Sequence, residues 1–251
     1  MDPAPAPPPQ ELRPSGAFLI LLVYVLALAA VLLVGAAFAD DDSVGIPFVV
    51  AALVVGPLAA LYVGLVRHAP REPTAAALRL LRPSGRELRI LATTVVLGVA
   101  LAPVTQALDT LLISAFEIKA APEVAAELER MTGLIIVAAV LAQPVAEELL
   151  FRGFLLPRLA ATSGRGTALL LVTGVYTLAQ LQLSPPEAAS ALVLGGALGV
   201  AALASETAWV AIAGHVAHQA ARIVNYPAWA AAVGAAVAAA IVAILARSRQ
   251  S

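Results

Sequence analysis

Uncharged apolar stretches of about 18–23 residues recur along this chain, divided by short charged connections. A hydrocarbon core of ~30 Å is spanned by ~20 apolar residues wound as a helix. Lipid offers no hydrogen bonds to an open backbone, so such stretches fold as helices. Eight of them are legible, at 17–39, 44–66, 90–108, 131–159, 167–183, 188–204, 207–224 and 227–246. The composition agrees, since 61% of residues are hydrophobic and only 12% charged, too few for the surface of a water-soluble domain. The expected fold is all-α: a polytopic membrane helical bundle of about eight transmembrane helices.

Several function classes fall away at once. A formal net charge of −1 and the lack of a basic patch with interleaved aromatics argue against a nucleic-acid partner. Without cysteine there is no disulfide, thiolate catalysis or thiolate-bound metal. Residues 1–14 hold six prolines and read as a disordered tail. Ala37-Phe38-Ala39 before Asp40 resembles a signal-peptide cleavage site. The single basic residue ahead of it and the length of 17–39 favour a retained first span. The chain then divides into 15–130, membrane helices with a basic loop at 67–89; 131–226, the segment richest in intramembrane polar groups; and 227–251, a last span with a basic tail.

Lysine and arginine orient the spans. With the N-terminus cytoplasmic, twelve of the 15 basic residues fall inside, leaving Lys119, Arg130 and Arg222 outside. An even number of spans in the plasma (inner) membrane, both termini cytoplasmic, follows. Within 67–89, Leu78, Leu80, Leu81 and Leu88 among six arginines suggest either an amphipathic helix lying on the anionic leaflet or a plain positive-inside anchor. Residues 122–130 read as an amphipathic turn on the outer face.

Charges inside the spans are costly and mark function or buried pairing. Glu147 and Glu148 are consecutive, about 100° apart on a helix. Glu148 and Arg152 form an i,i+4 pair in the favourable order. Glu147 is left on the stripe of Leu150 and Phe151, where an unpaired carboxylate suits proton abstraction from water. The competing reading is an ion-pair cluster that docks helices. Further along, His215 and Gln219 are i,i+4, with His218 about 60° around and Arg222 extending the stripe by a turn. Tyr176 and Gln180 form another i,i+4 pair, followed by Gln182, and counting residues puts Gln180 nearer the outer side than Glu147. Gly195, Gly196 and Gly199 provide small surfaces for close helix approach.

Together these stretches resemble the CAAX-protease and bacteriocin-processing family of intramembrane endopeptidases. Its Glu-Glu-x-x-x-Arg motif is matched by Glu147, Glu148 and Arg152, with Phe151-Arg152-Gly153 following the family pattern. Its Phe-x-x-x-His motif falls on Tyr176 to Gln180, and its His-x-x-x-Asn motif on His215 to Gln219, across roughly residues 130–226. The resemblance implies a peptidase core at 131–226 acting on a membrane-associated peptide or protein in the lipid bilayer. It assigns water activation to Glu147, support to Glu148 and Arg152, and the oxyanion to His215 and Gln219. A divalent metal such as zinc is compatible with it, on Glu147, His215 and His218. Gln180 stands where the family has histidine, and an amide is neither a general base nor a good zinc ligand. Two rivals follow: a weak or inactive relative that binds a membrane partner, and a proton-coupled transporter, which lacks the expected inverted repeats.

Overall fold

A computed structural model describes residues 12–38, 45–80, 83–116, 137–181 and 185–247, and among them every regular element is a helix. α1 (Pro14–Phe38) and α2 (Gly45–His68) pack along each other, followed by a single turn, α3 (Thr74–Ala77), and a long helix, α4 (Gly85–Ala115). The next helix, α5, covers 138–163 and changes pitch along its length. Wide π turns at Ala138–Ala142 and Leu149–Leu155 alternate with α turns at Gln143–Glu148 and Leu156–Ser163. α6 (Arg165–Leu181), α7 (Pro185–Ser205), α8 (Ala208–Ala221) and α9 (Ala228–Arg247) complete the bundle.

Among the described residues five helices, α1, α2, α4, α7 and α9, are long and apolar enough to cross a membrane. The other three expected spans differ. α5 carries charges and mixed pitch, and α6 and α8 have only 17 and 14 residues. α4 is longer than its apolar stretch because Ser84 and Glu87 cap it reciprocally, adding a turn ahead of Ile90. Its 31 residues reach ~46 Å, well beyond the hydrocarbon core.

Proline accounts for the pitch of α5. Pro144 and Pro157 each lie at the start of an α turn, just after a wide one. A proline ring clashes with the carbonyl four residues back and leaves it without a donor. Widening the preceding turn moves that carbonyl away, and such bulges recur at functional sites.

α4 packs against α7, α8 and α9, α6 against α7 and α5, and α2 against α5. At the α4–α8 crossing a Cβ on Gly98 would overlap the Gly214 carbonyl, so these backbones touch in the manner of small-residue membrane contacts. Ile20, Tyr24, Leu97, Leu150, Phe151, Phe154, Leu198 and Val210 meet in one buried core. Large apolar side chains such as Phe18, Leu33, Leu170 and Trp229 face outward, as lipid contact requires.

Two expectations change here. The basic loop contains one helical turn, not an amphipathic helix on the leaflet. Leu78 is buried in the core, and the Arg79 and Leu80 carbonyls accept hydrogen bonds from Thr207, Ala208 and Trp209. Intramolecular docking wins because these backbone acceptors find donors on α8. At the N-terminal side, Leu12 is buried in the core and α1 begins at Pro14, within the stretch expected to be disordered. Residues 1–11, 39–44 and 117–136, with the outer-face turn at 122–130, and Leu81, Gln182 and 248–251 lie outside the described residues.

Candidate active site

Glu147 and Glu148 occupy the α turn between the two wide turns of α5, both fully buried. Their surroundings are unlike. Glu147 Oε1 accepts from the Gln180 amide at 2.9 Å and the Gln143 amide at 3.2 Å, and its Oε2 accepts from the Tyr176 hydroxyl at 3.1 Å. All three donors are neutral. A carboxylate offers about four acceptor positions, so one remains, on Oε2.

Glu148 is held by cations and potential cations. Its Oε1 accepts from Arg152 Nη1 at 3.1 Å and lies 2.9 Å from His215 Nδ1. A protonated Nδ1 would donate to Glu148, and Nε2 is the ring nitrogen left for other partners. Glu148 Oε2 is buried without a partner among the described residues. Arg152 also donates from Nη2 to the Gly195 carbonyl at 3.0 Å, and its guanidinium lies 4.6 Å from the Tyr176 ring centroid. Gly195 is required there: a Cβ would come within 2.8 Å of Arg152 Nη2 and 2.9 Å of the Tyr176 ring. Tyr24, Phe151, Tyr176 and His215 form a chain of edge-on ring contacts beside the carboxylates.

The sequence-level candidates divide. Glu147 and Gln180 meet, and so do Glu148, Arg152 and His215. Residue counting along α6 misplaced Gln180, which reaches Glu147 directly. His215 bonds Glu148 and not Glu147, so Glu148 serves both Arg152 and His215. His218 faces α4, with Nε2 3.0 Å from Thr105 Oγ1, and its Nδ1 is buried without a partner among the described residues. Gln219 is half-buried and makes no hydrogen bond among the described residues. Arg222 leaves the stripe and pairs at the end of α8 with Asp109 at 2.7 Å and Glu187 at 3.2 Å.

Sequence reasoning missed Gln143, which was legible as the i−4 neighbour of Glu147, and gave Tyr176 no role at the carboxylate. Tyr24 was also missed. It lies far away in sequence, yet its ring packs on Phe151, and its hydroxyl is buried without a partner among the described residues.

The donor set does not suit zinc. Among the described residues no three His, Asp or Glu side chains stand together as metal ligands. Glu147 is enclosed by amides and a phenol, and His218 is engaged by Thr105. The chemistry of the site is therefore derived from its side chains.

An all-helical bundle with five apolar helices long enough to cross a membrane among the described residues is an integral membrane protein, and two buried carboxylates lie on its proline-bent helix, one of them tied to an arginine and a histidine. Residues 130–221 match the family model described as Rce1-like, type II CAAX prenyl endopeptidase. Over this segment the chain is similar to that family, in line with the resemblance carried by its motifs. No curated protein and no solved structure matches the chain.

Proposed function

We propose that the protein is an intramembrane endopeptidase that hydrolyses a peptide bond in a membrane-associated peptide or protein. The observation that carries this reading is the contrast between the adjacent carboxylates. Glu147 is held by three neutral donors and keeps one acceptor position for a water. That water gives its proton to Glu147 as its oxygen attacks the scissile carbonyl carbon. Glu147 returns the proton to the departing amine nitrogen as the C–N bond breaks. His215, oriented through Nδ1 by Glu148, donates from Nε2 to the oxyanion when it is protonated. Gln219, one turn along α8, has its amide free to assist. Arg152 donates to the same Glu148 oxygen that His215 meets, which fixes the position of that carboxylate beside the imidazole. By the charge rule, the end of the bundle bearing Arg79, Arg152 and Arg165 is cytoplasmic, as are both termini.

The test is cleavage of lipid-tethered peptides by the reconstituted protein. Glu147→Ala is expected to reduce turnover by roughly 10²–10⁴-fold, the range for a general base. Equal turnover by the two proteins would sink the proposal.

One observation favours a second reading. The Gln180 amide, which cannot take a proton from water, bonds Glu147 from the position where the family motif has histidine. That suits a relative with little or no turnover that binds a membrane partner. Gln180→His discriminates between the readings: a gain in turnover supports the peptidase, and a folded variant with no gain supports the binding role.

A further inference from the structure

A cavity of about 210 Å³ opens where the end of α5, the start of α6 and the end of α7 meet the turn after α3. Its polar lining includes Arg79, Arg152, Arg165 and Glu206, and its apolar wall includes Leu156 and Leu203. Arg79 and Arg165 have no ion-pair partner among the described residues. Arg152 is engaged by Glu148 and Gly195, so it contributes charge from behind.

The backbone singles out the same place. Among the described residues only Arg79 (φ 55°) and Glu206 (φ 60°) are non-glycine residues with positive φ, and both line this cavity. Each follows the end of a helix: the Arg79 N–H donates to Ala76 O after α3, and the Glu206 N–H to Ala202 O after α7. Glycine is the low-strain residue at such positions. Strain kept by charged residues at two separate helix ends, converging on one cavity, marks a site where the side chains are needed. The Arg79 turn is also fixed in place. Its carbonyl accepts from Thr207 Oγ1 at 2.9 Å and Ala208 N at 3.0 Å, and Arg158 donates to Ala77 O at 2.9 Å.

The ligand follows from charge, size and level. Arginine forks match phosphate oxygens. The cavity is smaller than the ~300–1,000 Å³ of sites that enclose a whole small molecule, so it suits a headgroup with its chains left outside. It lies at the helix ends, where lipid headgroups sit, and basic pockets between membrane helices are typical headgroup sites. We propose that this cavity binds the phosphate group of an anionic phospholipid headgroup, with Arg79 and Arg165 as its direct partners. Because Arg152 bonds Glu148 as well as lining the cavity, one guanidinium links the lipid site to the carboxylate centre. The lipid site stands whether or not the protein cleaves peptides.

Native mass spectrometry of the detergent-solubilised full chain tests this with three probes: dihexanoyl phosphatidic acid, inorganic phosphate and an N-acetylated leucine tripeptide with a free carboxylate. The wild type should retain one phosphatidic acid. Arg79→Gln, Arg79→Gly and Arg165→Gln should each bind it at least tenfold more weakly. Arg79→Gly should also have a higher Tm than the wild type without lipid, because it relieves the strained φ, whereas Arg79→Gln keeps a Cβ there and should not. Retention of phosphatidic acid with no phosphate adduct assigns the site to the lipid. Inorganic phosphate bound as tightly would overturn the lipid source, and retention of the tripeptide alone would overturn the phosphate chemistry. Equal phosphatidic acid binding by the wild type and both Arg79 variants would overturn the site itself.

Discussion

Two turns of α8 separate two charged clusters built on opposite rules. At the end of the helix Arg222 meets Asp109 and Glu187, and Asp109 also accepts from the Ser190 hydroxyl at 2.6 Å. Those side chains keep 23%, 14% and 41% of their surface exposed. Around His215, Glu147 and Glu148 lie side by side with one arginine, which bonds Glu148 alone, and none of these side chains reaches solvent beyond 2%. Both clusters carry two carboxylates against one guanidinium. At the rim, water screens the excess negative charge. In the core that excess must be held by protein, and it falls on Glu147, enclosed by Gln143, Tyr176 and Gln180. The rim cluster joins α4, α7 and α8. The core cluster leaves one carboxylate held by neutral donors alone.

Removing the core cation is the strongest way to break this contrast. Arg152→Met leaves Glu148 buried beside a histidine alone, and loss of one partner from a buried ion pair costs ~3–5 kcal/mol. Unfolding of the variant in micelles should show that loss. A cost below ~1 kcal/mol, the range of exposed pairs, would mean that the core follows the rim's rules. Tyr176→Phe tests the neutral side of the core. It removes one donor from Glu147 Oε2 and should cost ~0.5–3 kcal/mol, the range for hydrogen bonds to neutral and charged groups together. The loss should be the same at low and high salt, because the site is closed to ions. A salt-dependent loss would show that dissolved ions reach Glu147.

The contrast was only half legible in the sequence. The Glu148–Arg152 pair and the shared face of Tyr176 and Gln180 follow from helical spacing alone. What those faces meet depends on how α6 and α8 pack on α5. Which carboxylate His215 meets depends on that packing, and uniform 100° steps along one helix cannot show it. Pro144 and Pro157 were the available signal for the wide turns of α5. Hydropathy read α1, α2 and α9 well because apolar length alone defines a lipid-facing helix. α6 and α8 have 17 and 14 helical residues among the described ones, and their polar residues face the bundle. The positive φ of Arg79 and Glu206 left no trace in the sequence, since neither residue type announces a left-handed turn.

The smallest expected effect is at the rim, and it sharpens the comparison from the other side. Arg222→Gln removes both ion pairs at once, yet water can solvate the freed Asp109 and Glu187 as the end of α8 frays slightly. Exposed pairs contribute ~0.2–1 kcal/mol each, and with a quarter or less of Arg222 exposed the upper part of that range applies. Any Coulombic share should fade at ~1 M salt, where the Debye length is ~3 Å. The Tm difference between wild type and Arg222→Gln should therefore narrow as salt rises, while the Arg152→Met difference stays fixed. If Arg222→Gln proved as costly as Arg152→Met and equally indifferent to salt, exposure would not be what separates the clusters. The Asp109 network would then have to be treated as a second buried site, with its own reason for holding two carboxylates on one arginine.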